Sequence, residues 1–291
     1  MNNFLTLNDL TNEQIMKLIT EALDYKQGNK QLPDLNGTVA NIFLEASTRT
    51  KTSFELAAKR TGNHVVNMEE KSSALTKGET FQDTLDTLAM LDVRAAVVRT
   101  TTEYFYEGID TTNIKLINAG DGTHEHPSQS LLDLVTIYER FGKFEGLSIL
   151  IMGDIKHSRV ARSNIEAMER LGMTVYVYAP DIFKTDEDFN YITDLEQTLK
   201  TVNVVMLLRN QLERHEATTA NIQETYLELY GLTEARKELL AKESIIMHPG
   251  PFNRDVEIAS SVLDDERNKI YEQVKNGLFA RVAILNYVLG E

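Results

Sequence analysis

Short apolar runs alternate with segments in which apolar residues recur at three- and four-residue spacing along nearly the whole chain. The first pattern is typical of buried strands and the second of amphipathic helices. Strands that alternate with helices predict parallel sheets joined by crossover helices, which is an α/β fold. The predicted strands are residues 39–44, 64–68, 95–99, 114–118, 147–152, 174–178, 202–208 and 244–247.

A helical pattern that begins near Pro127 and ends at Gly142 separates the earlier predicted strands from the later ones. We therefore predict two domains, residues 1–142 and residues 143–269, each a parallel sheet flanked by helices. A long amphipathic helix follows at about residues 270–291. This C-terminal helix either closes the second domain or packs back across the first.

The length and the charge of the chain limit the classes of function that it can have. A chain of 291 residues exceeds the size of a typical single core, in agreement with two domains. Its 30 lysines and arginines against 44 aspartates and glutamates give a net charge of −14, which disfavours nucleic acid and anionic membranes as partners. Because no apolar run could span a bilayer and the start lacks signal-peptide features, we expect a cytoplasmic protein. An anionic substrate would have to be attracted by locally clustered arginines.

The chain has no cysteine, which excludes disulfides, thiolate metal ligands and thiol nucleophiles. His124 and His126 lie two residues apart, but without further clustered ligands this spacing does not predict a metal site. Gly153 and Asp154 follow a strand, yet the next residues lack the glycines of a dinucleotide-binding fingerprint. We therefore expect neither a metal nor a cofactor.

The segment 43–55 leads from a predicted strand into a predicted helix, with Ser47, Thr48, Arg49 and Thr50 at the junction. Ser47 is the predicted N-cap, so the first backbone N–H groups point outward at the positive end of the helix dipole and favour an anion. Arg49 adds a planar fork of donors that matches two phosphate oxygens. A capped helix with a surface arginine is the alternative, and this segment alone does not separate the two.

Other polar residues follow predicted strands, at the edge where parallel sheets bind ligands. Gly120 to Gly122 predict a tight turn after one of these strands. The polar segment 69–79 predicts a mobile loop that carries a cation. Taken singly, each of these positions also fits a solvated side chain or a structural turn. The residues concerned are Arg99, His126 with Gln129, Arg159, Arg209 with Gln211, the bend at Gly250 and Pro251, and Ser73 with Lys77 in the loop.

Taken together, these motifs resemble the aspartate/ornithine carbamoyltransferase family, and within it the catalytic chain of the aspartate-specific members, over nearly the whole sequence. Lys51 stands where the family usually has arginine, which keeps the charge. Ornithine enzymes typically carry His-Cys-Leu-Pro, whereas this chain has His248-Pro249-Gly250-Pro251, so the resemblance favours aspartate. Gly250 replaces a leucine that is common in aspartate enzymes, and only a backbone contact is expected there. The motifs that carry the resemblance are Ser47-Thr48-Arg49-Thr50, Ser73 with Lys77-Gly78-Glu79-Thr80, and His126-Pro127-Ser128-Gln129.

The resemblance implies transfer of the carbamoyl group of carbamoyl phosphate to the amine of L-aspartate, in pyrimidine biosynthesis, with no cofactor. Residues 1–142 would bind carbamoyl phosphate and residues 143–269 would bind aspartate. Transfer to ornithine or another amine is the alternative. In the family the loop with Ser73 and Lys77 reaches a neighbouring subunit, so a homotrimer with shared active sites is implied. Whether regulatory or pathway-enzyme partners bind stays open.

The resemblance also implies roles for individual residues. Gly250 and Pro251 would act through backbone carbonyls that orient the amine. The two carboxylates of aspartate call for two arginines. A non-catalytic binding or scaffolding chain is expected to lose Arg49, His126 or Lys77, and all three are present. The catalytic residues are Arg49, Thr50, Lys77, Arg99 and His126; carbamoyl phosphate is bound by Ser47, Thr48, Arg49, Thr50, Ser73, Arg99, His126, Gln129, Gly250 and Pro251; and aspartate is bound by Lys77, Arg159, Arg209 and Gln211.

Overall fold

A computed structural model of the chain describes residues 2–69, 78–210 and 220–290, with the backbone alone for 220–224. The predicted site residues Ser73, Lys77 and Gln211 lie outside these ranges. The helices are α1 (Asn12–Gln27), α2 (Thr48–Arg60), α3 (Phe81–Met90), α4 (Pro127–Phe141), α5 (Arg159–Arg170), α6 (Leu195–Leu199), α7 (Ala220–Tyr230), α8 (Glu234–Lys237) and α9 (Ile270–Leu289). The strands are β1 (Thr38–Phe43), β2 (His64–Glu69), β3 (Val93–Thr100), β4 (Lys115–Asp121), β5 (Ser148–Met152), β6 (Thr174–Tyr178), β7 (Val204–Leu207) and β8 (Ile245–Met247).

Parallel strand pairing confirms the predicted α/β fold. In the described ranges two four-stranded sheets run in the orders β2-β1-β3-β4 and β6-β5-β7-β8, and the strands pair in parallel throughout. Parallel sheets are covered by helices on both faces, which is why their strands are continuous apolar runs in the sequence. Each predicted strand is present, with ends that differ from the prediction by up to three residues.

β4 differs most from its prediction. It continues through Gly120 and Asp121, where we expected a tight turn, because Asp121 pairs in parallel with Thr100 on β3 after a shift in register. The N–H of Asp121 also donates to the carbonyl of Glu125 at 3.0 Å. The reversal comes after Asp121. Gly122 makes it with φ 48°, and a Cβ at that position would lie 3.0 Å from the carbonyl oxygen of Thr101. Glycine is therefore required there.

The first compact unit comprises the residues up to Val135 and those from Val274 onwards. Its core lies between the first sheet and the helices that flank it. Ile42, Leu85 and Val98 are fully buried in this core. Burial of such side chains is the main favourable contribution to folding.

The second compact unit is Thr136–Gln273. Leu150, Val205 and Ile246 are fully buried in its core. At the end of β5, Gly153 has φ 130°, and a Cβ there would lie 2.9 Å from the carbonyl oxygen of Leu208. The turn after β5 therefore packs directly against the segment that follows β7.

From Val274 onwards α9 belongs to the first unit and is tied to α1 by polar contacts. Lys26 donates to Oδ1 of Asn276 at 2.6 Å, and Nδ2 of Asn286 donates to Oε1 of Glu21 at 3.1 Å. These bonds fix the helix on the surface of the first unit. In common with the other helices of the described ranges, α9 lacks the combination of length and apolar content that crossing a membrane requires.

Arg281 places a buried charge on the inner side of α9. Its guanidinium lies over the ring of Phe54, with 5.1 Å between Cζ and the ring centroid, and Nη1 donates to the carbonyl of Gly277 at 2.9 Å. Burial lowers the pKa of Arg281 to about 10, and the negative charge of Asp133 opposes this shift. A charge buried this deeply requires a partner of opposite sign. Arg281 thus connects α9 with α2 and α4.

Arg94 anchors the end of α9, and its loss should loosen that end. Its Nη2 donates to the carbonyl of Leu289 at 3.1 Å and its Nη1 to the carbonyl of Leu35 at 2.9 Å. We expect Arg94→Leu to destabilise the first unit by about 1–3 kcal/mol, because charged hydrogen bonds to buried carbonyls are lost. Hydrogen–deuterium exchange should show faster exchange at residues 285–290.

Arg140→Leu is the matched control for Arg94→Leu. Arg140 pairs with Glu243 on the surface, where the side chains are 40% and 72% exposed. Such a pair contributes about 0–1 kcal/mol, so this variant should leave unfolding temperature and exchange nearly unchanged. Unaltered exchange at the end of α9 in Arg94→Leu would contradict the anchoring role.

Candidate active site

Polar residues predicted from the sequence lie together at the carboxyl edge of the first sheet. β1, β3 and β4 are neighbours in that sheet, so the segments that follow them meet at one edge. Phe43, at the end of β1, is in register with Arg99, at the end of β3. Nη1 of Arg99 lies 3.4 Å from Nε2 of His126, which follows β4. The edge thus carries the Ser47–Thr50 segment, Arg99 and His126.

The Ser47–Thr50 segment forms the start of α2. Ser47 is the N-cap, with an extended backbone (φ −157°, ψ 103°). Among the residues described, the Ser47 hydroxyl makes no capping bond to α2, whereas the N-cap hydroxyls of Thr11 and Thr80 each accept one from their own helices. Arg49 is exposed, and the first turn of α2 contains no acidic residue. The positive end of this helix therefore faces an anion-binding position with an arginine beside it.

Lys51, which follows the Ser47–Thr50 segment, pairs with an acid on β2. Its Nζ lies 2.6 Å from Oε1 of Glu69 at the end of β2. This hydrogen bond and charge lower the pKa of the Glu69 carboxyl group. Among the described residues, the positive side chains predicted from the sequence to bind an anion at this edge are Arg49 and Arg99.

Arg99 is held by an acid next to the Ser47–Thr50 segment. Its Nε lies 3.3 Å from Oε2 of Glu45, and its side chain is only 13% exposed. The chain around it is fixed as well, since the N–H of Leu44 donates to the carbonyl of Arg99 at 2.8 Å. A guanidinium that is oriented in advance binds an anion at a lower entropic cost.

His126 is buried and its tautomer follows from its neighbours. Arg99 can only donate, so Nε2 of His126 accepts and the ring proton lies on Nδ1. Nδ1 in turn lies 3.4 Å from Oγ of Ser128, which can accept that proton's hydrogen bond. The ring of His126 thus lies between the guanidinium of Arg99 on its Nε2 side and the hydroxyl of Ser128 on its Nδ1 side.

Asp121 is a site-organising residue that sequence reasoning missed. It is fully buried, and its carboxylate accepts the N–H of Tyr104 at 2.9 Å and that of Glu125 at 3.0 Å. It also accepts from Nδ2 of Asn118 at 3.0 Å. These bonds hold the segments that lead from Arg99 and into His126. An acidic residue between two glycines after a buried strand was the available sequence signal.

Gln129 is oriented by a second acid that the sequence did not indicate. Its Nε2 donates to Oδ1 of Asp133 at 2.9 Å, one turn further along α4. Both side chains are buried. Asp133 engages one N–H of the amide, so Gln129 can offer the amide oxygen and the second N–H to a ligand.

The carboxyl edge of the second sheet carries the other predicted residues. β5, β7 and β8 are neighbours, so Arg159 after β5, Arg209 after β7 and the Gly250–Pro251 bend after β8 lie along one edge. Nδ2 of Asn253 donates to the carbonyl of Asn210 at 3.3 Å, which ties the segment after β8 to the segment that contains Arg209. Both arginines are half-buried. The second unit thus presents two cations and backbone carbonyls at the same edge.

Arg159 is placed by the turn between β5 and α5. It is the first residue of α5, and the N-cap hydroxyl of Ser158 accepts the N–H of Ala161 at 3.2 Å. The buried carboxylate of Asp154 accepts from the backbone N–H of His157 at 3.2 Å and lies 2.9 Å from its Nδ1. The turn that presents Arg159 is therefore fixed at both ends.

Across the described part of the chain, histidine, aspartate and glutamate side chains form no group of three or more that could hold a metal ion. The acids at the two edges instead contact arginine, histidine, glutamine or backbone N–H groups. Chemistry at these edges would therefore rely on hydrogen bonds and positive charge.

Comparison with known families matches both halves of the chain. Residues 2–139 match the family described as aspartate/ornithine carbamoyltransferase, carbamoyl-P binding domain. Residues 145–288 match the family described as aspartate/ornithine carbamoyltransferase, Asp/Orn binding domain.

Similar proteins cover the whole chain. It is 47% identical to the aspartate carbamoyltransferase catalytic subunit of Fusobacterium nucleatum, over 99% of this chain and 96% of that protein. It is 44% identical to the aspartate carbamoyltransferase catalytic subunit of Malacoplasma penetrans, over 100% and 97%. Among solved structures, aspartate transcarbamoylase from Trypanosoma cruzi in complex with carbamoyl phosphate and aspartate aligns with a TM-score of 0.85 and 27% identity, over 98% of this chain and 95% of that one. The catalytic subunit of M. jannaschii aspartate transcarbamoylase aligns with a TM-score of 0.85 and 29% identity, over 99% and 98%.

The start of α2 should bind phosphate, and Arg49 should contribute most of the side-chain affinity. We expect Arg49→Ala to weaken the binding of inorganic phosphate by at least about tenfold, because a charge-assisted hydrogen bond is lost. Isothermal titration calorimetry at fixed salt measures this directly.

Arg60→Ala is the control, because it removes the same charge from the exposed last turn of the same helix. It should leave phosphate affinity nearly unchanged, since it lies at the negative end of the α2 dipole. If phosphate affinity fell equally in both variants, phosphate binding would depend on the overall charge of the protein and not on the start of α2.

Proposed function

The chain belongs to the aspartate/ornithine carbamoyltransferase family, and we propose that it transfers the carbamoyl group of carbamoyl phosphate to the amine of L-aspartate. The products are N-carbamoyl-L-aspartate and phosphate, a step of pyrimidine biosynthesis. The observation that carries the proposal is the placement of the Ser47–Thr50 segment, Arg99 and His126 at one sheet edge. Relatives named aspartate carbamoyltransferase catalytic subunit, at 44–47% identity, support aspartate as the acceptor.

We assign the phosphate group to the Ser47–Thr50 segment and Arg99. The backbone N–H groups at the start of α2, the hydroxyls of Ser47, Thr48 and Thr50 and the two guanidiniums supply donors of the kind that a phosphate dianion binds. Arg49 is assigned to the leaving oxygen. Negative charge grows on that oxygen as its bond to the carbamoyl carbon breaks, so Arg49 would stabilise the transition state more than the ground state.

His126 is assigned to the carbamoyl oxygen, with Thr50 and Arg99 as further donors. In the structure Nε2 of His126 accepts from Arg99. When Arg99 turns to phosphate, that ring nitrogen is released, and the tautomer or cation with a proton on Nε2 can donate to the oxygen as it becomes negative. His126 therefore changes its partner on substrate binding in this proposal.

Gln129 is assigned to the amide of the carbamoyl group. One N–H of its amide donates to Asp133 and so holds the side chain, and in this assignment the amide oxygen of Gln129 accepts from the carbamoyl N–H. This contact distinguishes carbamoyl phosphate from acyl phosphates that lack a nitrogen. It also sets the plane of the group that the amine attacks.

Aspartate is assigned to the edge of the second sheet. Arg159 and Arg209 would each bind one carboxylate of aspartate. Gln211 and Lys77 would also contact aspartate. Both lie outside the described residues, as does Ser73. The carbonyls of Gly250 and Pro251 would accept hydrogen bonds from the amine and direct its lone pair. A carbon–nitrogen bond forms, the carbon–oxygen bond to phosphate breaks, and the departing phosphate accepts the proton that the amine loses.

Assembly and location also belong to the proposal. The resemblance of the segment with Ser73 and Lys77 to the family's loop supports a homotrimer with shared active sites. A cytoplasmic location is proposed from the sequence. Additional regulatory or pathway-enzyme partners are neither required nor excluded by the proposed reaction.

An amine panel tests the proposed acceptor. With carbamoyl phosphate present, release of phosphate should be fastest with L-aspartate, and L-asparagine should lower kcat/KM by at least about tenfold because one charged pair is lost. L-ornithine, whose side chain is cationic, should be inactive beside two arginines. Faster turnover with ornithine than with aspartate would overturn the assignment and favour the other branch of the family.

Truncation of either arginine that is assigned to a carboxylate should mainly raise the KM for aspartate. We expect Arg159→Ala and Arg209→Ala each to raise the KM for aspartate by about tenfold or more, because each removes a charged hydrogen bond. The KM for carbamoyl phosphate should change little. Steady-state kinetics with each substrate varied in turn separates these effects.

Arg170→Ala provides a comparison at the far end of α5, where a cation is also removed. Its aspartate KM should stay near that of the unsubstituted enzyme. An unchanged aspartate KM in both Arg159→Ala and Arg209→Ala would remove the basis for placing aspartate at this edge.

A further inference from the structure

The bend after β8 has one conformationally free position, Gly250. A backbone carbonyl orients a nucleophile only if the peptide planes around it are fixed. The rings of Pro249 and Pro251 fix φ at their own positions, whereas glycine restricts neither of its dihedral angles. Gly250 has φ 65°. A side-chain contact must therefore select this conformation.

His248 makes that contact. The N–H of Gly250 donates to Nδ1 of His248 at 2.9 Å, which holds the peptide plane on the amino side of Gly250. Because Nδ1 accepts, the proton of the neutral ring lies on Nε2. His248 is only 1% exposed, so water does not compete for this bond. Its own N–H donates to Oε1 of Gln273 at 2.8 Å.

Glu257 fixes the tautomer on which the contact depends. Oε1 of Glu257 lies 3.3 Å from Nε2 of His248. A carboxylate accepts only, so it favours the tautomer with the proton on Nε2 and Nδ1 unprotonated. The same Oε1 accepts the N–H of Asn253 at 2.5 Å. Glu257 thus holds the ring of His248 on one side and the chain just after Pro251 on the other.

Both contacts of Glu257 fall on one oxygen. Its Oε2 is buried without a hydrogen-bond partner among the described residues. A buried carboxylate that is only half satisfied destabilises the fold. A bend that only had to be closed could be closed by a neutral side chain, so the charge points to a requirement for one tautomer of His248.

We propose that His248 and Glu257 are positioning residues for the nucleophile. Glu257 holds the tautomer of His248, and His248 holds Gly250 so that its carbonyl can direct the amine of the acceptor. This inference rests on the proposed function, because it takes the acceptor to be L-aspartate. Neither residue contacts the reacting atoms in this account.

Two substitutions of His248 separate its two contacts. Asparagine places an amide oxygen near the position of Nδ1 and cannot reach Glu257, whereas glutamine reaches toward Glu257 and leaves no acceptor at Nδ1. We expect His248→Gln to raise the aspartate KM and lower kcat, for a loss of about tenfold or more in kcat/KM for aspartate. His248→Asn should retain most of the activity. The KM for carbamoyl phosphate should stay unchanged in both variants.

Glu257→Gln tests the tautomer directly. Glutamine can donate to Nε2 and so permits the wrong tautomer, which should cost about tenfold in kcat/KM for aspartate. In the His248→Asn background the acceptor no longer depends on a tautomer, so Glu257→Gln should have almost no further effect. A double-mutant cycle measures this loss of additivity.

Leu199→Ala, a buried truncation in α6 of the same unit, controls for lost stability. The inference is overturned if His248→Gln and His248→Asn have equal kcat/KM for aspartate, or if Glu257→Gln lowers kcat/KM equally in both backgrounds. It is also overturned if the loss of kcat/KM simply follows the loss in unfolding temperature, as we expect for Leu199→Ala. Should the His248 variants not fold, an unchanged aspartate kcat/KM in Glu257→Gln alone also overturns it. An unsubstituted enzyme that is inactive with aspartate instead refutes the proposed function, and the inference with it.

Discussion

Parallel pairing of β1 with β3, and of β3 with β4, is the constraint on which the proposed carbamoyl phosphate site depends. The register that sets Phe43 opposite Arg99 brings the start of α2 beside a guanidinium that is far away in the sequence. A shift of one residue would turn Arg99 to the other face of the sheet, because successive side chains point to opposite faces. The buried alanines and valines of β3 prevent that shift. The positions of the site residues are therefore fixed by the packing of the sheet.

Buried charges in the first unit connect α9 with the orientation of a site residue. Asp133 bonds to Gln129 on one side and is close enough to Arg281 to raise the pKa of that buried guanidinium against the effect of burial. Arg281 is carried by α9, which the sequence places at the far end of the chain. Because a buried charge without a partner is strongly destabilising, removing α9 would affect Asp133 and, through it, the orientation of Gln129.

The sequence was informative where a pattern is local. Buried parallel strands are continuous apolar runs, so all the described strands were predicted, and polar residues directly after those strands were predicted as the site. The Gly120–Gly122 turn was placed too early because the pairing of Asp121 with Thr100, which extends β4, joins residues far apart in the sequence. Lys51 was interpreted only as a conserved charge, whereas its partner is Glu69 on a neighbouring strand. The partnerships of Asp133 with Arg281 and of Glu257 with His248 have no sequence period, and only the fold brings these residues together.

The positioning acids also explain how a chain with a net charge of −14 can bind an anion. At the two sheet edges, carboxylates pair with groups that are proposed to bind or to position the substrates: Glu45 with Arg99, Asp133 with Gln129, and Glu257 with His248. A carboxylate in that position engages one donor of its partner and so determines which other atom of the partner is presented. Such a carboxylate acts at short range, on the orientation of its partner. The acidic character of the protein is thus compatible with anionic substrates, since these three acids are partners of the binding and positioning groups.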